Sequence, residues 1–163
     1  MTVYNPHEIF EMAEQIERNG ARFYRKAAEN ADGDVRGLFI KLAEMEDLHE
    51  RSFASMKRHL PDGPGREELD QPEAEAFLQA LAEGKIFRAQ LDPSRRLAGT
   101  ETPQQVLQTA ITLEKDSVIF YLAMQPLVTG SRAFKDIERI IWEEMGHVTT
   151  LSNLLTALTP EEA

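Results

Sequence analysis

The sequence predicts an all-α fold, a bundle of four long antiparallel helices with a long crossover between the second and third that contains a short helix. Three observations carry this. Apolar residues recur at three- and four-residue spacing through four long stretches, and no stretch of any length shows the alternation of a strand. Strong helix-start signals open two halves of the chain, at Asn5-Pro6 and Thr102-Pro103. The segment between the halves, residues 60–101, is too long for a tight hairpin and suits a crossover along the length of a bundle. With 163 residues, 42% of them hydrophobic and 28% charged, the chain can bury one core, and one domain is expected over 1–163.

The first helix starts at Pro6 behind an Asn N-cap and should run to about Asn30, with Ile9, Phe10, Met12, Ala13, Ile16, Phe23, Tyr24 and Ala27 at helical spacing. Residues 31–34 form a turn. The second helix covers about 34–59, with Leu38, Phe39, Leu42, Met45, Leu48, Phe53 and Met56 as its stripe, completing a hairpin over 6–59. Pro61, Gly63, Pro64 and Gly65 then break the pattern, and 60–72 reads as loop. Residues 73–84 read as a short helix ending at Gly84, and 85–101 are less regular. Thr102-Pro103-Gln104-Gln105 carries a Thr N-cap, Pro at the first helical position and Gln at the capping-box position. The third long helix runs from there toward Val128, with Pro126 expected to kink or end it. After Thr129-Gly130-Ser131 the fourth runs from about Arg132 to Leu158, with Phe134, Ile137, Ile140, Ile141, Val148, Leu151 and Leu155 on its apolar face, so the second hairpin covers 102–158. A helix of about 25 residues spans roughly 37 Å.

Charge and composition remove several function classes. Acidic residues outnumber basic ones by 28 to 18, and the net charge of -10 argues against nucleic acid and anionic membrane as partners. The absence of cysteine excludes disulfides, zinc-thiolate sites, Cys-ligated iron–sulfur clusters and thiol catalysis. The N-terminal stretch lacks the apolar core of a signal peptide and no apolar run is long enough for a membrane span, so a cytoplasmic protein is expected.

The two halves repeat one another. Residues 16–24 (I-E-R-N-G-A-R-F-Y) align with 113–121 (L-E-K-D-S-V-I-F-Y), and E-D-L-H at 46–49 aligns with E-M-G-H at 144–147. Glu17 precedes Glu46 by 29 residues and Glu114 precedes Glu144 by 30. Each half thus offers a lone Glu followed by Glu-x-x-His. Residues at i and i+3 share one helix face, so Glu46 with His49, and Glu144 with His147, can reach one metal ion or an adjacent pair. Glu17 and Glu114 can complete each half from the neighbouring helix. Four carboxylates and two imidazoles form a hard, mixed oxygen and nitrogen set suited to Fe or Mn, and two divalent ions would balance the four carboxylates. Without metal, clustered carboxylates in a core repel one another and take up protons.

At these residues the chain resembles the rubrerythrin-like branch of the ferritin-like superfamily, from about residue 6 to 158. The resemblance implies a ferritin-like four-helix bundle with a carboxylate-bridged di-iron centre. It implies that Glu46 and Glu144 bridge two Fe ions, that Glu17 and His49 are terminal ligands of one, and that Glu114 and His147 are terminal ligands of the other. Mn and Zn accept the same ligands. Rubrerythrins carry a four-cysteine rubredoxin module that this sequence lacks, so an electron donor is expected to be a separate protein. They also carry a further Glu one turn after the lone Glu of the third helix, where this chain has Ser117. The ligand set is similar to that of bacterioferritin too, but no fifth helix follows the fourth, which makes a storage shell the lesser expectation.

Other residues suit supporting roles. Tyr24 and Tyr121 lie two turns after Glu17 and Glu114 on the same face, placed to hydrogen-bond a ligand carboxylate, to pack, or to relay an electron. A metal-bound His needs an acceptor for its second N–H, and Asp116 is one candidate. Trp142 reads as core or interface, Glu50 and Glu143 as solvated, and His7 and His59 as surface. Gly20 and Gly146 inside helices could permit close helix approach or open space near the metals.

What the resemblance implies for function is a ferroxidase or peroxidase, binding Fe(II) and reacting with O2 or hydrogen peroxide in iron and oxidative-stress handling. Alternatives are an iron-storage protein of bacterioferritin type, an oxidase of an organic substrate, and a non-catalytic helical interaction bundle. Apolar stripes on long helices also predict a homodimer.

Overall fold

Prolines and glycines mark the helix ends in the computed structural model, which describes residues 6–60, 72–82, 92–128 and 130–159. The helices are α1 (Pro6–Glu29), α2 (Gly33–Arg58), α3 (Pro72–Ala82), α4 (Pro103–Met124) and α5 (Ser131–Leu158). Each predicted helix is present, with ends displaced by a few residues at most where they are described; Asn5, Thr129 and residues 61–71 and 83–91, Gly84 among them, lie outside the described residues. Among the described residues there is no strand.

The capping box at α4 forms as expected: the Thr102 Oγ1 accepts from the Gln105 N–H at 3.2 Å and the Gln105 Oε1 accepts from the Thr102 N–H at 2.9 Å. Pro126 ends α4 rather than kinking it, because it has no N–H to continue the helical hydrogen bonds; Gln125 before it still has helical backbone, and a short 3-10 turn (Gln125–Leu127) follows. Gly130 then takes a φ of 117°, a conformation that favours glycine, and starts α5. Of the 85–101 stretch, residues 92–101 are described. Pro93–Arg96 forms a 3-10 turn capped by Asp92, whose Oδ1 accepts from the Ser94 N–H, and it packs on α1.

Contacts between hairpins set the topology. Glu17 meets Tyr121, while Tyr24, later on α1, meets Glu114, earlier on α4, so α1 and α4 are antiparallel. His49 meets Glu144 and Glu46 faces His147, so α2 and α5 are antiparallel as well. The chain reverses between α1 and α2 and again between α4 and α5. It follows that α2 and α4 run in the same direction. A chain leaving α2 must travel back the length of a helix, ~39 Å for 26 residues, before α4 can start. That geometric demand accounts for the long crossover, of which α3 packs on α4.

The core is divided in two. One apolar layer contains Phe10, Phe53, Phe120, Met124, Ile137 and Ile140. The other contains Phe23, Phe39, Leu42, Leu107, Ala110 and Leu151. On every long helix the candidate metal-binding residues fall between the contributions to these two layers. Three residues assigned to inward stripes or to the core face outward instead. Leu48 is 56% exposed, because Glu46 and His49 point inward and a position two residues from Glu46 lies on the far side of the helix. Phe134 and Trp142 are 41% and 66% exposed on the outer side of α5, so Trp142 is no core residue of this chain.

Phe53 joins three helices, with ring centroids 6.3 Å from Phe10 and 4.8 Å from Tyr121. Phe53→Ala should cost about 3–5 kcal/mol of stability in urea unfolding of metal-free protein; a loss below about 1 kcal/mol would contradict this account of the layer.

Candidate metal centre

The six predicted residues converge between the two apolar layers, one or two from each long helix, and all are buried. They form two overlapping groups. Glu17, Glu46, His49 and Glu144 each offer an atom within 4.8 Å of the others, and so do Glu46, Glu114, Glu144 and His147. Glu46 and Glu144 belong to both groups, so each carboxylate lies between an imidazole of one half and an imidazole of the other. His49 Nδ1 lies 2.6 Å from Glu144 Oε1 and 3.5 Å from Glu17 Oε2. His147 Nδ1 lies 3.0 Å from Glu144 Oε2, 3.5 Å from Glu46 Oε1 and 3.6 Å from Glu114 Oε2.

Close approach does not mean satisfied hydrogen bonding. Glu17 Oε2, Glu46 Oε1, Glu144 Oε1 and His49 Nδ1 are buried and make no well-aligned hydrogen bond. Orphaned buried polar atoms are costly and need a partner that the protein itself does not supply. Three carboxylate oxygens and an imidazole nitrogen converging in this way fit divalent cations, and they satisfy one requirement of a metal site independently of any resemblance.

The tyrosines pair crosswise. Tyr24 on α1 donates its hydroxyl to Glu114 Oε1 on α4, and Tyr121 on α4 donates to Glu17 Oε1 on α1. Each lone Glu is therefore held by the tyrosine of the other hairpin, leaving its second oxygen turned to the cluster. Burial, followed by the nearby carboxylates, pushes both phenols well above their ordinary range, which keeps them protonated and donating. Gly20 has a specific purpose: a Cβ there would sit 2.8 Å from Glu46 Oε2. The helix gives up about 1 kcal/mol of propensity at this position and Glu46 gains its place. Gly146 has no such neighbour, since nothing lies within 4 Å of its Cβ position, and close helix approach does not explain it.

Two readings of the acidic residues need correction. Glu143, though partly exposed, does not point away from the site: its Oε2 lies 2.7 Å from His49 Nε2, and Arg139 Nη1 holds the same carboxylate at 2.9 and 3.1 Å. Asp116 is not the imidazole acceptor; it is half-buried with Arg96 as its charged neighbour. Glu50 points away from the cluster, as expected, but pairs with Arg18 at 2.8 Å. His59 is exposed and donates Nδ1–H to the Ser55 carbonyl at 2.7 Å, while His7 is half-buried. The sequence signal that would have found Glu143 is its place beside Glu144, one helical step round toward α2.

Electrostatics explain what the cluster does without metal. Burial, then repulsion from Glu144, raises Glu17 and Glu46 well above the usual carboxylate range and Glu114 to about 8. Burial opposes charge on the imidazoles, but Glu144 outweighs it at His49, raised to about 9. Glu114 and Glu144 do the same at His147, raised to about 10. Burial also works against ionised Glu144, yet its contacts with Glu114, His147 and His49 hold it well below the usual range. Without metal, burial and mutual repulsion favour protons on Glu17, Glu46 and Glu114, while the contacts of Glu144 with both imidazoles favour its ionised form. Divalent cations have to displace those protons.

Comparisons with known proteins bear on the family and the fold. The family model described as Rubrerythrin matches residues 8–155. A crystal structure from Thermotoga maritima, described as that of a candidate ferritin-like diiron-carboxylate protein, superposes with a TM-score of 0.77 at 25% identity. The match covers 98% of this chain and 99% of that one. None of the curated proteins matches the chain.

The raised groups make a directional prediction. Glu114, His49 and His147 bind protons in the folded state up to about 8, 9 and 10, against ordinary values of 4.5 and 6.5 when unfolded. Their stabilisation is full below the unfolded values and is lost as pH rises through the folded ones. Glu144 acts oppositely, and its contribution is lost only in acid. The melting temperature of chelator-treated protein should therefore fall steadily from pH 6.5 to pH 9. A melting temperature that is flat or rising over that interval would contradict the buried charge arrangement.

Proposed function

The chain belongs to the rubrerythrin family, and from that premise we propose that it is a di-iron carboxylate oxidoreductase that oxidises Fe(II) with hydrogen peroxide or O2. The single observation that carries the reading is the sharing of Glu46 and Glu144 between two overlapping donor groups, each with its own lone Glu and its own His. Glu17 and His49 would hold one ion, Glu114 and His147 the other, and Glu46 and Glu144 would touch both. When bound, two Fe(II) ions supply one electron each, which with two protons reduces one hydrogen peroxide to two waters.

The residues of the chain supply the rest. Four carboxylates balance the charge of two divalent ions, and burial between apolar layers makes that balance count for more than it would in water. Tyr24 and Tyr121 fix one oxygen of each lone Glu and keep the other directed inward. Phe53 on one side and Phe39 on the other restrict water around the cluster. The rubrerythrin cycle draws on a further Glu at the position of Ser117, whose hydroxyl here donates to the Leu113 carbonyl. For that reason the proposal is iron oxidation with peroxide or O2, with re-reduction left to a separate donor protein. Among the described residues no helix is long and apolar enough to cross a membrane, and we place the protein in the cytoplasm.

A homodimer is part of the same proposal, and the repeat indicates its face. Ile119, Leu122, Phe134, Trp142 and Met145 are exposed on α4 and α5. The positions in register with them on α1 and α2 are Arg22, Arg25, Arg36, Glu44 and Asp47, and Arg25 pairs with Asp47. At these matched positions one hairpin carries charged side chains and the other apolar ones, although α2 also exposes Ile40 and Leu48 elsewhere. A second copy of the chain, meeting this face about a two-fold axis, would cover it on both partners at once.

Two experiments test these readings. Anaerobic titration of metal-free protein should saturate at about two Fe(II) per chain, and peroxide should then give a ferric optical band within seconds. Many ions per chain would favour storage, and no binding would favour a metal-free interaction bundle. Separately, Trp142→Glu should turn a dimer into a monomer in sedimentation equilibrium with little change in iron uptake; a wild-type monomer would overturn the dimer.

A further inference from the structure

The repeat gives the two halves of the centre matching ligands but different supports. In register, Glu143 corresponds to Met45, just as Glu144 corresponds to Glu46 and His147 to His49. The crosswise arrangement places each imidazole against the opposite long helix. His49 on α2 finds the Glu143 carboxylate on α5, with Nε2 and Oε2 2.7 Å apart. The two-fold counterpart would be His147 on α5 finding residue 45 on α2. That residue is a methionine, which offers only a weak acceptor. His147 Nε2 is buried and makes no hydrogen bond among the described residues.

The difference matters for metal binding. A carboxylate that accepts the Nε2–H of a histidine fixes the tautomer, orients the ring and makes Nδ1 a stronger donor. His49 is held in this way, with its Nδ1 turned toward Glu144 and Glu17. Glu143 is itself held by the Arg139 guanidinium through the i, i+4 pairing along α5. A chain of three residues therefore runs from the half-exposed Arg139 to the buried ring. Among the described residues the His147 ring has no such chain, and its orientation is left to packing and to the carboxylates on its Nδ1 side.

We propose that the two metal positions are inequivalent, that the Glu17–His49 half binds the first ion and holds it more tightly, and that Glu143 is the positioning residue responsible. This rests on the reading of the six-residue cluster as a two-metal centre. It adds to that reading an order of filling and a cause for the order. The protein with one ion is then a defined species, with its ion on the Glu143 side and the Glu114–His147 half open.

The test is calorimetric titration of metal-free protein with Co(II) as the probe, with the visible spectrum of the bound ion recorded alongside. Wild-type protein should bind two ions in resolved steps differing about 10–100-fold in affinity, the size expected for loss of a carboxylate behind a ligating histidine. Glu143→Gln should weaken the tight step about tenfold and leave the weak step alone. Met45→Glu should strengthen the weak step, bringing the two together, which a purely structural role for Glu143 would not produce. Glu17→Gln should remove the tight step and Glu114→Gln the weak one. Thermal melts of the metal-free variants at positions 45 and 143, within a few degrees of wild type, would show the fold intact. Two equal ions in wild type, or a tight step that survives Glu143→Gln unchanged, would overturn the inequivalence while leaving the two-metal centre standing. No Co(II) binding in wild type would overturn both.

Discussion

Four carboxyl groups and two imidazoles buried between apolar layers are the constraint on which the rest of this molecule depends. Glu17 and Glu144 have no exposed surface, and the remaining four are nearly as deep. Such a group of side chains is tolerable only if each has a partner or a proton. The protein supplies part of what is needed: two tyrosine hydroxyls, one carboxylate behind His49, and mutual contacts around Glu144. Protons on the raised groups supply another part in the absence of metal. Four polar atoms left without aligned partners, Glu17 Oε2, Glu46 Oε1, Glu144 Oε1 and His49 Nδ1, face one another across the centre. Divalent cations answer that remaining demand, and they do so by removing the protons.

The helices are organised around this polar stratum. Two apolar layers rather than one continuous core follow from its position midway along each long helix. The antiparallel pairing of α1 with α4 and of α2 with α5 brings equivalent residues of the two repeats together across a pseudo-two-fold axis. That pairing forces α2 and α4 to run the same way and so requires the long crossover. Glycine at position 20, unfavourable within a helix, is explained by the Glu46 carboxylate that occupies the space where a side chain would be.

The six clustered residues were legible in the sequence because their signal lies within single helices and repeats. Glu-x-x-His occurs twice, each time behind a lone Glu at near-equal separation. The long helices were legible from proline and glycine punctuation and from apolar periodicity. Facts that depend on how one helix is rotated against another were not. Tyr24 shares a face with Glu17 in the sequence but serves Glu114 in the fold. Glu143 sits beside an inward residue and looked solvated, yet the neighbouring α2 brings His49 to it. Leu48 and Phe134 looked like parts of apolar stripes, and their exposure shows that helix faces are set by the polar centre as much as by hydrophobicity. Asp116 had the right chemistry for an imidazole acceptor and the wrong direction.

The central claim is that Glu46 and Glu144 are shared by two metal ions, each completed by one lone Glu and one His. The most direct measurement is anomalous diffraction at the iron edge from crystals grown or soaked with Fe(II) under anaerobic conditions. The account predicts two anomalous peaks about 3.5–4 Å apart between the apolar layers. One should lie against Glu17 and His49, the other against Glu114 and His147, with Glu46 and Glu144 contacting both. A single peak, or peaks confined to the exposed acidic surface, would contradict it.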